Sequence, residues 1–141
     1  MENIENILKE LLSSFIREMN EWEKLCNKTD SDNSLTHDAQ MALLKEAKEK
    51  IFDKYVTQRK RVRGGPDEIS YGQEGSYDYD PENEIIFEIT VDKNKATIST
   101  QNSIPMEERK QYLLKRTKTG WLIDSKKRYS FYKERWESVN L

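Results

Sequence analysis

The sequence is poor in the residues that most often carry out covalent chemistry or bind metals. It has one cysteine, Cys26, and one histidine, His37. A single cysteine excludes an internal disulfide, and Cys26 is most simply a small apolar residue on a helix face. A nucleophilic Cys26 would need a base, and His37 is the one imidazole in the chain. No Cys or Glu neighbours His37 at metal-ligand spacing, so we expect no metal site and no cofactor.

Long apolar runs are also missing. No segment approaches the roughly 20 apolar residues that a membrane-spanning helix needs. The opening residues, MENIENILKE, mix acids with apolar residues and do not place a basic segment before an apolar run. We therefore expect no secretory signal, no membrane partner and a reducing, cytoplasmic location.

Neither sign of charge dominates the composition. The 141 residues include 24 Lys or Arg and 26 Asp or Glu, which gives a formal net charge of -2. A protein that binds nucleic acid in general is usually more basic, so we expect no nucleic-acid partner. Aromatic residues make up 10% of the chain, too many for a disordered sequence of this polarity. We predict one folded domain, residues 1–141, with a heavily charged surface.

Two amphipathic helices are predicted in the first part of the chain. Apolar residues recur at spacings of three and four from Ile4 to Cys26, with charged residues between them, which indicates one wide apolar face. A polar loop is predicted at 27–34. Thr36 is then placed to cap a second helix that runs to about Thr57. The apolar face of the first helix is interpreted as core, and a homodimer interface stays open as the alternative.

Two charged segments of opposite sign follow. Residues 58–63 (QRKRVR) suit the negative end of the second helix dipole. They form either a solvated helix exit or a contact for a phosphate or an acidic partner. Residues 64–66 (GGP) interrupt regular secondary structure. Residues 74–84 (EGSYDYDPENE) are then acidic throughout, without a base and with two tyrosines among the acids.

The acidic segment 74–84 allows three interpretations. A calcium loop of the EF-hand type needs a glycine at its sixth position, which is missing here, and Pro81 intervenes. An ordinary solvated loop is the second interpretation. The third is a protein-binding surface, because tyrosine supplies contact area at low entropic cost. The candidate binding residues are Glu74, Tyr77, Asp78, Tyr79, Asp80, Glu82 and Glu84.

The second half of the chain is predicted to consist of antiparallel strands. Alternation in 84–91 predicts one apolar face, formed by Ile85, Phe87, Ile89 and Val91. A turn at 92–95 leads into a returning strand, 96–101, with one polar face.

The most regular pattern is a hairpin at 111–131. Apolar runs flank Thr119-Gly120, where the glycine supplies the positive φ of a tight turn. Alternation predicts a core face in the second arm, formed by Trp121, Ile123 and Ser125. The opposite face is then formed by Leu122, Asp124 and Lys126. Two helices followed by a strand meander predict an α+β fold, with the helices packed on one face of a curved antiparallel sheet.

Several segments together resemble one family. They are Trp22-Glu23, 51–55 (IFDKY), Ser70-Tyr71-Gly72 ahead of Tyr79-Asp80-Pro81, and the closing hairpin with YLLK at 112–115 and GWLIDSKK at 120–127. Over nearly its whole length the chain resembles bacterial immunity proteins with a nuclear transport factor 2-like fold, found beside Rhs-type polymorphic toxins. The Tyr-Gly and Tyr-Asp-Pro segment and the Trp-Leu-Ile-Asp-Ser-Lys hairpin are the most specific parts.

The resemblance implies a cone-shaped fold and an antitoxin without chemistry of its own. Such a protein would bind the toxic C-terminal domain of a cognate effector and neutralise it, by covering the active site or by blocking a needed motion. If that toxin acts on nucleic acid or nucleotides, the acidic segment 74–84 would imitate phosphate.

Two other functions stay open. Cones of the wider fold also resemble isomerases, dehydratases and hydrolases, for which Asp124 is the best acid–base candidate, with Tyr71 or Tyr112 as donor. Simple alternation, however, points Asp124 away from the core face. A small-ligand or scaffold module is the other possibility. An open pocket with an inward Asp would favour the enzyme, and a filled cone the antitoxin.

Overall fold

Two helices and one five-stranded sheet make up the fold. The computed structural model describes residues 3–61, 64–104 and 106–141. The elements are α1 (Ile4–Asp30), α2 (His37–Tyr55), β1 (Ile85–Asp92), β2 (Lys95–Asn102), β3 (Glu108–Thr117), β4 (Gly120–Ser130) and β5 (Arg135–Val139). The strands form an antiparallel meander in the order β1-β2-β3-β4-β5. The predicted α+β class, with helices before an antiparallel sheet, is confirmed.

The helices begin at side-chain caps. The Asn3 side chain accepts a hydrogen bond from the backbone N of Glu5 at the start of α1, and Thr36 caps α2 as predicted, through the N of Ala39. The prediction of a loop at 27–34 is wrong over its first four residues, because α1 continues to Asp30. Within the described ranges, neither helix has the length and apolarity that crossing a bilayer requires.

The core lies between α1, α2 and one face of the sheet. Its fully buried side chains include Leu8, Leu12 and Phe15 from α1 and Leu44 from α2. The sheet contributes Ile98, Tyr112, Leu114 and Ile123. Burial of an apolar side chain of this size stabilises a fold by about 1.5–3 kcal/mol. The apolar face of α1 is therefore occupied by the chain's own core.

A β-bulge at Asp124 changes the faces of β4. Asp124 has no partner in β3, because the register shifts between Leu113 and Leu114. An extra residue moves the alternation by one, so Ile123 and Lys126 both face inward. The prediction that placed Ser125 on the core face and Lys126 on the opposite face is therefore wrong. Trp121 is half-buried at the edge of the core.

A second bulge, at Phe87, divides the apolar face predicted for β1. The register with β2 shifts between Ile86 and Glu88. Ile89 packs against the core, whereas Ile85 is 65%, Phe87 54% and Val91 39% exposed. The prediction of one shared apolar face is therefore wrong. Because β1 is an edge strand, its exposed side chains leave an apolar strip at the rim of the sheet.

Candidate functional site

The acidic segment 74–84 forms an irregular loop that leads into β1. Five of the predicted binding residues lie wholly or partly at its surface: Glu74, Tyr77, Asp78, Asp80 and Glu82. The other two are buried, Tyr79 with 3% and Glu84 with 9% of its surface exposed. The interpretation of Tyr79 and Glu84 as exposed contact residues is therefore corrected, since both side chains point into the fold.

A buried carboxylate on α1 holds this loop from below. Glu23 is 1% exposed. Its Oε2 accepts hydrogen bonds from the backbone N of Gly72 at 2.8 Å and of Asp78 at 2.9 Å, and its Oε1 accepts one from the N of Tyr79 at 2.8 Å. Burial raises the pKa of Glu23, while the three N–H donors oppose that rise because they favour the charged form.

Three further side chains bind the carbonyl groups of the same segment. Asn20 Nδ2 donates to the carbonyl O of Tyr79 at 2.7 Å, and Asn27 Nδ2 to that of Gly72 at 3.0 Å. Lys110 Nζ on β3 donates to the carbonyl O of Asp78 at 2.9 Å. Residues 72–79 are therefore attached to the fold by side chains of α1 and β3, and belong to no strand.

Gly72 lies where the loop folds back on itself. A Cβ at this position would come within 2.3 Å of the carbonyl O of Ser76 and 2.8 Å of the Cα of Tyr77. Both are backbone atoms, so no larger residue fits unless the loop moves. This explains the glycine of the Tyr71-Gly72 pair without any appeal to an unusual φ.

Asp80 organises the turn before β1. Its carboxylate accepts hydrogen bonds from the backbone N of Glu82 at 3.1 Å and from Asn83 Nδ2 at 2.7 Å. Its carbonyl O accepts one from the N of Glu84 at 2.9 Å. Asp80 thus acts within the loop, and the fully exposed negative charges are those of Glu74, Asp78 and Glu82.

Glu84 is the centre of a buried polar cluster. Its Oε2 accepts hydrogen bonds from the hydroxyl of Tyr112 at 2.8 Å and from that of Thr100 at 2.6 Å. Its Oε1 lies 3.5 Å from Lys110 Nζ. The sequence did not lead us to this cluster. The one available signal was alternation in β3, which places Lys110 on the same face as Tyr112 and Leu114.

Lys126 is a buried cation, as Lys48 and Lys110 are. Its Nζ donates to the hydroxyl of Tyr79 at 3.2 Å and lies 4.4 Å from the centroid of the Tyr79 ring. Burial, together with the nearby charge of Lys110, lowers the pKa of Lys126 to about 8. Burial also raises the pKa of Tyr79 well above its usual value, so its hydroxyl stays protonated.

The interior beside this cluster is nearly filled. The cavity lined by Trp22, Glu23, Lys48, Tyr79 and Lys126 measures about 40 Å³. That is room for a few water molecules at roughly 10–15 Å³ each. It offers no space for an organic substrate.

The three residues considered for catalysis do not converge. Tyr112 binds Glu84 in the interior, and Tyr71 packs edge-on against Trp22, with 6.4 Å between the ring centroids. Asp124 sits on the bulge of β4 and binds Arg59 instead, with its Oδ1 2.9 Å from Nε. The acid–base constellation predicted as an alternative is therefore not assembled.

The basic segment after α2 packs back on the same bulge. Arg61 Nη2 donates to the carbonyl O of Asp124 at 3.0 Å and to Thr57 Oγ1 at 2.8 Å. The described part of the segment, 58–61, therefore uses its two guanidinium groups within the fold. Residues 62–63 lie outside the described residues.

An apolar strip adjoins the exposed part of the loop. Ile104 is 62% and Met106 64% exposed, as are large parts of Ile85 and Phe87. A groove of about 290 Å³ connects Ile85, Phe87 and Ile104 to Glu82, and Met106 lines a neighbouring depression with Ile104. Two neighbouring depressions share Tyr77, Asp80 and Ile104. The exposed Glu74 adjoins Gly75, which lines one of these depressions. The surface is here named the acidic–apolar face: Glu74, Tyr77, Asp78, Glu82, Ile85, Phe87, Ile104 and Met106.

Comparison with known proteins gives two matches. A family model described as NTF2 fold immunity protein matches residues 7–140, which include α2, all five strands and most of α1. Immunity protein RhsIA of Dickeya dadantii (strain 3937) is 29% identical over 133 residues, which is 94% of this chain and 95% of that protein. No solved structure matches at a significant level.

Proposed function

The chain belongs to the NTF2 fold immunity protein family, and on that premise we propose that it neutralises the toxic C-terminal domain of an Rhs-type effector by binding it through the acidic–apolar face. The family resemblance inferred from the sequence is confirmed. Membership makes the chain an immunity protein, an antitoxin with a cognate toxin as its partner. The binding surface and the effector class are our proposals, the latter supported by the similarity to RhsIA.

The observation that carries the proposal is the composition of the acidic–apolar face. The face combines four exposed apolar side chains with negatively charged ones, and a tyrosine lies among the acids. The apolar residues are Ile85, Phe87, Ile104 and Met106. Protein interfaces combine an apolar or aromatic centre with polar groups at the rim. The acids would attract a basic surface on the toxin, speed the encounter and disfavour wrong partners.

This arrangement supports inhibition through binding to the toxin alone, without a chemical reaction. The interior holds a cavity of about 40 Å³, and Asp124, Tyr71 and Tyr112 lie apart. A protein of this kind acts by covering the toxin's active site or by blocking a motion that the toxin needs. We place this action in the cytoplasm of the cell that makes the toxin.

The test reverses the exposed charges of the loop. In E74K/D78K/E82K, we expect the affinity for the toxin domain encoded beside this chain's gene to fall at least 100-fold by calorimetry. The melting temperature should stay within a few degrees, because these side chains are exposed. The matched control is E10K/E46K/D53K, which makes the same change of net charge at exposed helical positions and should leave the affinity unchanged. Equal affinities for the two triple variants would remove the loop from the binding surface.

A second copy of the chain is the competing occupant of the apolar strip, since an exposed edge strand also suits self-pairing. Light scattering of the free protein, with Phe87→Asp as the comparison, separates the two. A monomer in the absence of toxin leaves the strip available. A dimer that Phe87→Asp converts to monomer, with toxin affinity retained, would assign the strip to self-association.

A further inference from the structure

We infer that Glu23 is a positioning residue for toxin binding: its buried carboxylate fixes loop 72–79 in the shape that presents the acidic side chains before the toxin arrives. This inference rests on the proposed function. Glu23 itself is 1% exposed and touches no part of the acidic–apolar face with its side chain except through backbone N–H groups.

The backbone of the loop needs hydrogen-bond acceptors. The N–H groups of Gly72, Asp78 and Tyr79 point at one carboxylate. Buried donors that lose their acceptor are unfavourable, because water no longer reaches them. Removing this one carboxylate would therefore free three donors together and release both ends of the loop.

The geometry at Glu23 needs a carboxylate and not only a side chain of that size. An ionised carboxylate is acceptor-only on both oxygens, and both oxygens of Glu23 are used. Glutamine has nearly the same shape but replaces one oxygen by an NH₂ donor. In Glu23→Gln, that NH₂ would face at least one N–H of the loop, and a donor would meet a donor. The two lysines that line the same cavity, Lys48 and Lys126, favour the charged form.

The helix that carries Glu23 is rigidly held. Glu23 belongs to α1, the longest element, and its neighbour Trp22 donates from Nε1 to the carbonyl O of Leu44 on α2 at 2.9 Å. The two helices are thus bonded to each other directly beside the site that holds the loop. Tyr77 and Asp78 lie between the anchored amides of Gly72 and Tyr79. A loop fixed in advance loses little conformational entropy on binding, which raises affinity without any new contact.

The first experiment needs no toxin. Hydrogen exchange of the backbone amides of Gly72, Asp78 and Tyr79, followed by NMR in Glu23→Gln, should show at least tenfold lower protection than in the wild-type protein. The matched control is Leu8→Ala, a core substitution on the same helix but far from the loop. It should lower the melting temperature at least as much as Glu23→Gln and leave the relative protection of the loop amides unchanged.

The second experiment measures binding of the toxin domain encoded beside this chain's gene. We expect at least a tenfold lower association rate constant for Glu23→Gln and the wild-type value for Leu8→Ala. Gly72→Ala moves the loop from its own side, through the 2.3 Å approach to the carbonyl O of Ser76, and should reproduce the loss. It also replaces Glu23→Gln as the test if that variant does not fold.

The outcomes separate the two proposals. Wild-type loop protection in Glu23→Gln overturns the positioning role, and so does lost protection with an unchanged association rate constant. If E74K/D78K/E82K weakens binding and Glu23→Gln does not, the binding surface stands and Glu23 is only structural. If E74K/D78K/E82K binds like the wild type, the surface itself is wrong and the positioning role fails with it.

Discussion

Two regions of the molecule are held in place in different ways. One is loop 72–84, which consists of the anchored residues 72–79 and the turn that leads into β1. The other is the β3–β4 hairpin. The hairpin is closed by backbone pairs close in sequence, ending with Thr117 opposite Gly120, whose φ is 125°. The loop is held by side chains far away in sequence, since Glu23 and Tyr79 are 56 positions apart. A hairpin of this kind follows from local residues, whereas the loop has a defined shape only once α1 is in place.

Within the loop, the side chains that we propose for toxin binding are therefore distinct from the groups that fold it. The side chains that point outward, such as Asp78 and Glu82, take no part in its attachment. The groups that attach it lie beneath it, on α1 and β3. Under the proposed function, substitutions at the surface of the loop should therefore change the choice of toxin, while substitutions beneath it should change the shape of the whole surface.

The largest expected effect tests the hairpin side of the comparison. Leu114→Ala should lower the free energy of unfolding by about 2–5 kcal/mol, because it empties a fully buried site on the inner face of β3. Its neighbour Leu113 points outward and is half-buried, so Leu113→Ala should cost about 1 kcal/mol or less. Urea denaturation measures both. Equal losses would contradict the assignment of faces around the bulge at Asp124.

Local signals account for what the sequence predicted correctly. The cap at Thr36, the apolar face of α1 and the turn at Gly120 each depend on residues within one or two turns of chain. The same holds for the order of helices and strands, from which the α+β class followed. The motif pairs Trp22-Glu23 and Tyr71-Gly72 supported the family resemblance, although their joint role in holding the loop was not predicted.

Contacts between distant residues account for what the sequence did not predict. The bulges at Phe87 and Asp124 follow no local rule, and each moved a strand's alternation by one residue. Tyr79 and Glu84 stand among exposed acids in the sequence, but partners from α1 and β3 draw them inside. The composition of the segment predicted a binding surface without revealing which of its residues form the support.

Lys126 on β4 contacts Tyr79 of the loop, so the hairpin and the loop meet at this residue. Its folded pKa of about 8 lies below the ordinary 10.5, so the folded state binds this proton less tightly than the unfolded chain. The sign follows from that order: the contribution of Lys126 to wild-type stability should rise as the pH increases from about 8 to 10.5. Below pH 8 the buried ammonium carries its full penalty, roughly 3 kcal/mol at about 1.4 kcal/mol per pKa unit.

Removal of this charge should therefore stabilise the protein. Lys126→Met should raise the free energy of unfolding at pH 7 by about 1–3 kcal/mol, part of the gain being lost with the hydrogen bond to Tyr79. The difference between variant and wild type should shrink as the pH rises from about 8 to 10.5. Lys127→Met, an adjacent outward position with the same change of charge, is the control and should do neither. A destabilised Lys126→Met variant that keeps the wild-type pH profile would show that the lysine contributes net stability.

The smallest effect is expected at Asp124, the one irregular point of the hairpin. Burial alone would raise the pKa of this carboxyl, but hydrogen bonds from Thr57 and Arg59 lower it below its usual value. A lowered carboxyl pKa stabilises the fold above the pKa of the unfolded chain, and that contribution disappears as the pH falls through the folded value, below about 4. Asp124→Asn should therefore cost about 1 kcal/mol at pH 7, since the charged partners Arg59 and Lys115 are half-exposed, and its stability should approach that of the wild type as the pH falls below about 4.

Urea denaturation of Asp124→Asn and the wild type at pH 7 and at acid pH shows what fixes the bulge. Convergence in acid means that charge on Asp124 draws Arg59 and the segment after α2 onto β4, so the bulge is held by distant side chains, as the loop is. A difference that stays constant as the pH falls below about 4 would instead assign the effect to packing of the side chain. Lys115→Met, which removes the longer 3.4 Å ion pair to the same carboxylate, should give a smaller change of the same sign, since Lys115 is half-exposed.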